Sequence, residues 1–181
     1  MKLGTPTKNA AWPLLAVGLL VLSAKIYGHP SPQSPPNIGV SGHLSVDKVE
    51  RGRTVQAVVE MDIPSGFHVN SNRPLEKFLI ATQLQIQAPL GVRVGTVVYP
   101  RPVLRNLKFS KNRVSVFEGH TIMRVNVTVP ANFGPSSTEL KAQLRYQSCN
   151  DDFCFPPQTR EVTFPIAVVG TRTTGSRMNG R

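Results

Sequence analysis

The chain has two cysteines, Cys149 and Cys154, and four residues separate them. Two thiols this close together can form a disulfide, and such a disulfide can either stabilise the fold or exchange with another protein. A purely stabilising disulfide gains most from a long loop, because it then restricts the unfolded chain more strongly. A loop of about six residues is worth about 2 kcal/mol, against about 4.7 kcal/mol for about a hundred. Redox chemistry is therefore a serious alternative to a structural role for this pair.

The N-terminus has the layout of a secretory signal. Two lysines precede an apolar run at residues 10–24, and about 15 residues is shorter than the roughly 20 that a membrane-spanning helix needs. We therefore expect a signal peptide at residues 1–28. An uncleaved anchor is the alternative, because Leu22 fits poorly two positions before Ala24 at the candidate cleavage site. Either way, the rest of the chain is expected outside the cytoplasm, in the bacterial periplasm or a similar oxidising space.

The remainder of the sequence divides by composition into three parts. Residues 29–36 contain four prolines and predict a stiff linker. Residues 37–169 have the length of one ordinary domain with a single core. Residues 170–181 lack an apolar period, and we expect a disordered basic tail there.

The positive charge of the chain is concentrated at its ends. The formal net charge is +11, but six of the 21 basic residues lie in the signal and the tail. No run of Lys and Arg with interleaved aromatic residues is present, so nucleic acid is not an expected partner. Acidic proteins or an anionic membrane surface are better matches for the surplus charge. Membrane insertion is expected only through the N-terminal segment, if that segment is uncleaved.

The residues after the signal alternate between apolar and polar types, which is typical of half-buried strands. Prolines and glycines separate the segments, and no stretch of a dozen residues has a helical period. Seven or eight short strands favour an all-β fold, an immunoglobulin-like antiparallel β-sandwich. The predicted strands are residues 40–46, 55–63, 84–87, 92–98, 114–117, 123–129, 140–146 and 162–168.

The cysteines fall between two of these predicted strands, which end near Tyr146 and begin near Val162. The intervening Asn-Asp-Asp at residues 150–152 favours a turn that brings the two thiols together. Bridging needs Cα atoms about 4.4 to 6.8 Å apart, as opposed residues on paired strands provide. Pro156 either ends an edge strand or shapes the redox site.

The cysteine segment resembles a known family. Its sequence is Tyr-Gln-Ser-Cys at residues 146–149, a four-residue gap, and Cys-Phe-Pro-Pro at residues 154–157. This pattern is similar to the cysteine signature of the N-terminal periplasmic domain of DsbD, the thiol:disulfide interchange protein. Further similar segments are Gly-Phe-His-Val-Asn-Ser-Asn-Arg-Pro at 66–74, Phe-Leu-Ile-Ala-Thr at 78–82 and Val-Ser-Val-Phe-Glu-Gly at 114–119. The resemblance covers most of residues 40–168.

The resemblance implies an immunoglobulin-like domain that passes electrons by thiol–disulfide exchange. It implies that Cys154 attacks the partner and that Cys149 resolves the mixed disulfide. The partners implied are exported thioredoxin-like proteins, including those of cytochrome c maturation, and disulfide isomerases. The sequence contains no multi-helix membrane segment and no Cys-x-x-Cys motif, so a separate membrane protein is expected to donate the electrons.

The residues around the cysteines are expected to shape the site. Asp151 and Asp152 place negative charge near both sulfurs, which disfavours the thiolate and raises the thiol pKa. The alternative is that both serve only the turn. The motif itself contains no His or Arg as an activator. The complete set of expected site-shaping residues is Tyr146, Asp151, Asp152, Phe153, Phe155 and Pro156.

The resemblance also implies a cap loop with an aromatic residue that shields the cysteines. Residues 99–113 correspond to this loop, and Phe109 is the expected shield. The stretch carries five cations and no acid, unlike the acidic caps of better-known members. Those cations either favour the thiolate, dock an acidic partner, or form a solvated basic loop.

Other chemistry has little support in the sequence. The four histidines are scattered and give no metal-ligand spacing with the cysteines, and no cofactor is expected. Hydrolase and nucleotide motifs are lacking. Two functions remain: a protein-disulfide reductase type of exchange domain, and a non-catalytic immunoglobulin-like binding module with a permanent Cys149–Cys154 disulfide.

Overall fold

The computed structural model of the protein describes Met1 and residues 34–170. The predicted signal beyond Met1, residues 29–33 of the linker and residues 171–181 of the tail lie outside the described residues. The described part contains twelve strands and no helix, and thus no helix that could cross a membrane. The strands are β1 (Gly39–Leu44), β2 (Lys48–Glu50), β3 (Thr54–Asp62), β4 (His68–Asn70), β5 (Gln83–Gln87), β6 (Arg93–Val94), β7 (Val103–Arg105), β8 (Val114–Phe117), β9 (His120–Thr128), β10 (Ser137–Tyr146), β11 (Ser148–Cys149) and β12 (Gln158–Val169).

Two four-stranded sheets form the body of the domain, in the orders β1-β3-β9-β6 and β2-β12-β10-β5. Neighbouring strands are antiparallel, except that β2 pairs with β12 in parallel at one edge. Because side chains alternate between the two faces of a strand, every second residue points into the core. In β10 these inward residues are at most 1% exposed: Leu140, Ala142, Leu144 and Tyr146. Both sheets contribute to one apolar core. The expected all-β, immunoglobulin-like sandwich is confirmed.

A third sheet, in the order β11-β4-β8-β7, carries the cysteine segment. All of its neighbouring strands are antiparallel. The four residues of β8 are all buried, so β8 anchors this sheet between β4 and β7. The cysteine segment thus belongs to a sheet of short strands, separate from the two sheets of the sandwich.

The eight predicted strands correspond to β1, β3, β5, β6, β8, β9, β10 and β12. The strand predicted at residues 92–98 was too long, because regular pairing stops at Val94 and resumes only as a single bridge between Val98 and Arg124. The predictions omitted β2, β4, β7 and β11. Each has two or three residues, which is too short for an alternating pattern to be recognised.

Among the described residues, the end of the proline-rich segment packs against the sandwich. Pro36 is buried, and Ile38 is 2% exposed and belongs to the core. The segment just before β1 is therefore part of the folded domain.

Candidate functional site: a hairpin closed by a disulfide

Cys149 and Cys154 are joined by a disulfide with an S–S distance of 2.04 Å. They face each other as an isolated antiparallel bridge, with their Cα atoms 3.9 Å apart. This separation is shorter than the 4.4 to 6.8 Å expected from the sequence. No cysteine of the chain is free. The structure is therefore that of the oxidised protein.

The turn between the cysteines is held by the side chain of Asn150. Its Oδ1 accepts hydrogen bonds from the amides of Asp152 and Phe153, at 2.9 and 2.8 Å. The amide of Asn150 also donates to the carbonyl of Phe153 at 3.0 Å. Asn favours such turns because its short side chain can satisfy backbone donors two and three residues ahead. The turn thereby fixes the sulfurs opposite each other.

The two cysteines differ in exposure. Cys149 is completely buried, at 0% exposed, whereas Cys154 is half-buried. Cys149 lies on β11 and pairs with His68 of β4, while Cys154 lies on the outer limb of the hairpin. A macromolecular partner therefore meets Cys154 before Cys149.

A small apolar cluster lies next to the disulfide. Its buried members are Leu79, Leu107, Val114 and Val116, and the half-buried side chains of Phe109 and Cys154 pack against it. The sequence analysis selected Phe109 as the shield of the cysteines. The structure brings Phe109 and Cys154 to the same cluster.

The aromatic residues that flank Cys154 lie at two depths. Phe155 is 3% exposed and packs its ring 6.1 Å from that of Phe67, whereas Phe153 is 40% exposed. The rings of Phe153 and Phe155 meet edge to face, with centroids 4.9 Å apart, a favourable arrangement for aromatic pairs. Pro156 is exposed. Phe153 and Pro156 thus present apolar surface next to Cys154. The buried Phe155 ring supports this surface by packing against the Phe153 ring.

Tyr146 supports the hairpin from the end of β10. Its side chain is 0% exposed and its hydroxyl donates to Gln158 Oε1 at 2.9 Å. Burial raises the pKa of the Tyr146 hydroxyl, because a phenolate would lose its hydration. Tyr146 therefore remains a neutral hydrogen-bond donor that ties the start of β12 to the end of β10.

Asp151 and Asp152 are exposed at the tip of the hairpin, and Lys108 contacts both of them. Lys108 Nζ donates to Asp152 Oδ1 at 2.9 Å, and its amide donates to the Asp151 carbonyl at 2.9 Å. The hydrogen bond to Asp152 raises the pKa of Lys108. A cation of the basic stretch thus offsets part of the negative charge near the sulfurs and fastens the loop to the hairpin.

His68 is a site residue that the sequence analysis missed. Nδ1 lies 2.8 Å from Glu118 Oε1, and Nε2 lies 3.3 Å from Asp151 Oδ1. Both neighbours are carboxylates, so a doubly protonated imidazole can donate to both. The cysteine motif contains no histidine, but strand pairing places one directly opposite Cys149. The segment at residues 66–74, which resembles the DsbD family, includes His68, but the sequence alone does not show that His68 lies opposite Cys149.

Glu118 joins three parts of the site. Arg105 of β7 donates to it twice, from Nε at 2.6 Å and from Nη2 at 2.5 Å, and His68 of β4 approaches its Oε1. Chiefly through the hydrogen bond from Arg105, these cations lower the pKa of Glu118. Such a forked pair is strong and directional. Glu118 therefore links Arg105 of β7 to His68 of β4 across the intervening β8, at the edge of the site.

A buried polar layer lies beneath the hairpin. Asn70 is 0% exposed, and its Nδ2 donates to Gln147 Oε1 at 2.9 Å and to the Ile80 carbonyl at 3.2 Å. Gln147 Nε2 donates to the Phe155 carbonyl at 3.1 Å. These bonds connect β4, the loop before β5 and both limbs of the hairpin. The sequence analysis did not identify Asn70 or Gln147 as site residues.

Within the part of the chain that the structure describes, no three His, Cys, Asp or Glu side chains are arranged as a metal site. A solvent-accessible sulfur bonded to a buried one is suited to thiol–disulfide exchange.

Comparison with known families agrees with this chemistry. A model of the N-terminal domain of the thiol:disulfide interchange protein DsbD matches residues 43–166, well over half of the chain. The protein belongs to this family. The resemblance found in the cysteine segment is therefore confirmed.

Solved structures with a similar fold have little sequence identity to this chain. The N-terminal periplasmic domain of ScsB from Proteus mirabilis is 9% identical, with a TM-score of 0.48, over 70% of this chain and 44% of that one. The PapD-like domain 7 of human CEP192 is 14% identical, with a TM-score of 0.38, over 88% and 99%. The chain thus spans less than half the length of the ScsB structure, and at these identities the likenesses carry no information on chemistry. A comparison with curated proteins gives no significant match.

We predict that Glu118→Gln reduces the loss of stability in acid. The unfolded glutamate has a pKa near 4.5, and the folded one titrates at lower pH, so the unfolded chain binds more protons between the two values. The contribution of Glu118 is complete above the unfolded-state pKa and disappears as the pH falls through the folded-state pKa. Urea unfolding from neutral to acidic pH should show a shallower dependence of the free energy of unfolding on pH in the variant.

Glu139→Gln is the control for this prediction. It makes the same change in net charge on β10, where the Glu139 side chain is 57% exposed, and it should keep the wild-type dependence on pH. A Glu118→Gln protein with the wild-type dependence would show that the contact with Arg105 does not stabilise the fold.

Proposed function

We propose that this protein is exported and passes reducing equivalents between proteins through the Cys149/Cys154 pair. The observation that carries the proposal is the unequal burial of the two sulfurs, with Cys149 fully buried and Cys154 half-buried. An accessible sulfur can receive a partner while the buried one waits within bonding distance. Membership of the DsbD N-terminal family supports the same chemistry.

In the proposed reaction the reduced protein acts first through Cys154. Its thiolate attacks one sulfur of a partner disulfide, forming a mixed disulfide and releasing the partner's other sulfur as a thiolate. Cys149 then loses its proton and attacks the Cys154 sulfur, which releases the partner's second thiolate. The partner gains two electrons and becomes a dithiol, and Cys149–Cys154 becomes the disulfide seen in the structure.

The charges around the disulfide support a role for the basic cap stretch in this reaction. Lys108 pairs with Asp152, and His68 lies beside Asp151. The Lys108 ammonium group reduces the negative potential that Asp152 would otherwise impose on a thiolate at Cys154. Of the roles considered for this stretch, assistance to the thiolate is supported by a contact, because Lys108 pairs with Asp152 of the cysteine hairpin.

The proposed partners are exported thioredoxin-like proteins or disulfide isomerases, with a separate membrane protein as electron donor. The exposed apolar faces of Phe153 and Pro156 lie beside Cys154, where a partner's disulfide has to approach. Apolar side chains next to a reactive sulfur can hold a partner long enough for exchange without a permanent complex. Export is proposed from the signal-like N-terminus.

The alternative is a non-catalytic binding module whose disulfide is permanent. Complete burial of Cys149 favours this alternative, because a buried disulfide sulfur is protected from reductants. The half-exposed Cys154 favours exchange, since attack on either sulfur breaks the bond. The two functions therefore differ in whether the pair is reduced and reoxidised under physiological conditions.

We predict that Cys149→Ala traps a partner. Without the resolving thiol, a mixed disulfide at Cys154 persists, so a reducible complex with a specific exported protein should appear on non-reducing gels of cells that produce the full chain. Cys154→Ala is the matched control. Its remaining thiol is buried at Cys149, and it should capture much less.

Two results would oppose the proposed exchange. Capture of no exported protein by Cys149→Ala would remove the main support for transfer between proteins. Equal capture by Cys154→Ala would reverse the assigned roles of attacking and resolving thiol. Mass spectrometry of the trapped complex identifies the partner and the partner cysteine that is bonded.

Phe109 is proposed as the shield of the disulfide. Its side chain and that of Cys154 pack against the same buried cluster, so Phe109 is placed to restrict small molecules while yielding to a protein partner. The shield explains how a half-exposed Cys154 in an exported domain avoids unproductive reaction with small thiols.

We predict that Phe109→Ala increases the rate at which dithiothreitol reduces the disulfide severalfold, because it opens the approach to Cys154. Phe78→Ala is the control, since Phe78 is 60% exposed and is not a member of the cluster. Its rate should equal that of the wild type. Stopped-flow measurement of thiol formation provides both rates, and an unchanged rate for Phe109→Ala would exclude the shield.

A further inference from the structure

The Cys149 sulfur lies against one particular oxygen of the buried polar layer. Cys149 Sγ is 3.7 Å from Asn70 Oδ1, a distance at which a thiol can donate a hydrogen bond to an amide oxygen. Both residues are 0% exposed. Water therefore does not compete for this contact.

The orientation of the Asn70 amide follows from its other contacts. Gln147 Oε1 accepts from the Ile80 amide at 2.9 Å, so this atom is the oxygen of the Gln147 side chain and not its nitrogen. Asn70 faces that oxygen and the Ile80 carbonyl with the same atom, which must then be its Nδ2. The remaining atom, Oδ1, therefore points at Cys149.

The contact between Oδ1 and the sulfur depends on the redox state. A disulfide sulfur carries no proton, so in the oxidised protein Asn70 Oδ1 receives no hydrogen bond from Cys149. Among the described residues the sulfur is its one side-chain partner. A buried acceptor without a donor is unfavourable. The arrangement is thus complete only when Cys149 is a thiol.

We propose that Asn70 is a positioning residue that accepts a hydrogen bond from the Cys149 thiol in the reduced protein. Reduction by a dithiol partner adds two electrons and two protons to the Cys149–Cys154 bond, and the proton on Cys149 supplies the donor that Asn70 lacks in the oxidised state. The inference rests on the proposed exchange function and deepens it. The bond stabilises the dithiol form relative to the disulfide.

The same hydrogen bond separates the roles of the two cysteines. By accepting from the S–H group, Asn70 favours the protonated form of Cys149, which is a poor nucleophile. Cys154 has no comparable acceptor among the side-chain contacts of the described residues, and Lys108 pairs with Asp152 in the same hairpin. Asn70 thereby leaves the first attack to Cys154 and holds Cys149 in place for resolution.

The test is the equilibrium constant for reduction of the disulfide by dithiothreitol. Asn70→Leu keeps a side chain of similar size and removes the acceptor, together with the two Nδ2 hydrogen bonds, which do not involve the sulfurs. We expect the constant to fall about fivefold, the equivalent of one ordinary hydrogen bond, which places the reduction potential about 20 mV lower. The matched control is Ser115→Ala, which breaks the buried Ser71–Ser115 hydroxyl pair in the same layer without touching the sulfur.

The control should keep the wild-type constant even if it lowers the stability of the fold. An unchanged constant in Asn70→Leu, or an equal fall in both variants, overturns the assignment. Because dithiothreitol needs no docking, the result does not depend on whether Cys149→Ala traps a partner. Failure of the exchange function and failure of the Asn70 contact are therefore distinguishable.

A spectroscopic measurement decides the case if Asn70→Leu does not fold. Infrared spectra of the reduced wild-type protein should contain one S–H stretching band displaced to lower frequency by the hydrogen bond. The displaced band should persist in Cys154→Ser, where Cys149 is the remaining thiol. Spectra of both proteins that contain no displaced band, and S–H bands only at the position of an unbonded thiol, would overturn the proposal.

Discussion

The antiparallel pairing of β10 with β12 positions the whole redox site. Their register runs from Ser137 opposite Ala167 to Tyr146 opposite Gln158, and buried residues on the inner face hold both strands to the sandwich. The chain between the two strand ends has to turn back within residues 147–157. That turn is the hairpin that carries both cysteines. The disulfide thus closes a short loop whose ends the main sheet already holds, and the chain-entropy model assigns such a loop only about 2 kcal/mol.

The third sheet supplies the chemistry that the hairpin itself lacks. Because side chains alternate along β4, Val69 points into the main core, and His68 and Asn70 lie on the side that faces the hairpin. His68 contacts the exposed tip, and Asn70 contacts the buried sulfur. One short strand therefore provides an ionisable group at the surface and a neutral acceptor beneath it. The asymmetry of the disulfide follows from this difference in depth.

Sequence reasoning recovered the features that depend on local order. Long strands were predictable because nine to twelve residues suffice to establish alternation, as in β3 and β12, and the cysteine hairpin was predictable from its turn residues. The contacts of His68 and Asn70 with the hairpin were not predictable. They join residues 79 to 83 positions apart, and they depend on the pairing of two strands that are each too short to give a pattern. A histidine beside a carboxylate at such a separation becomes visible only once the register of β4 with β11 is known.

We expect Cys149 and Cys154 to form an exchanging pair and not a permanent bond. The reduction potential of the wild-type disulfide distinguishes the two, and it is obtained by equilibration with a series of dithiol buffers and quantification of the free thiols. An exchanging pair should have a potential above about −300 mV, in the range of proteins that exchange disulfides. A value below that limit would mean that the bond is structural and that the pair does not exchange.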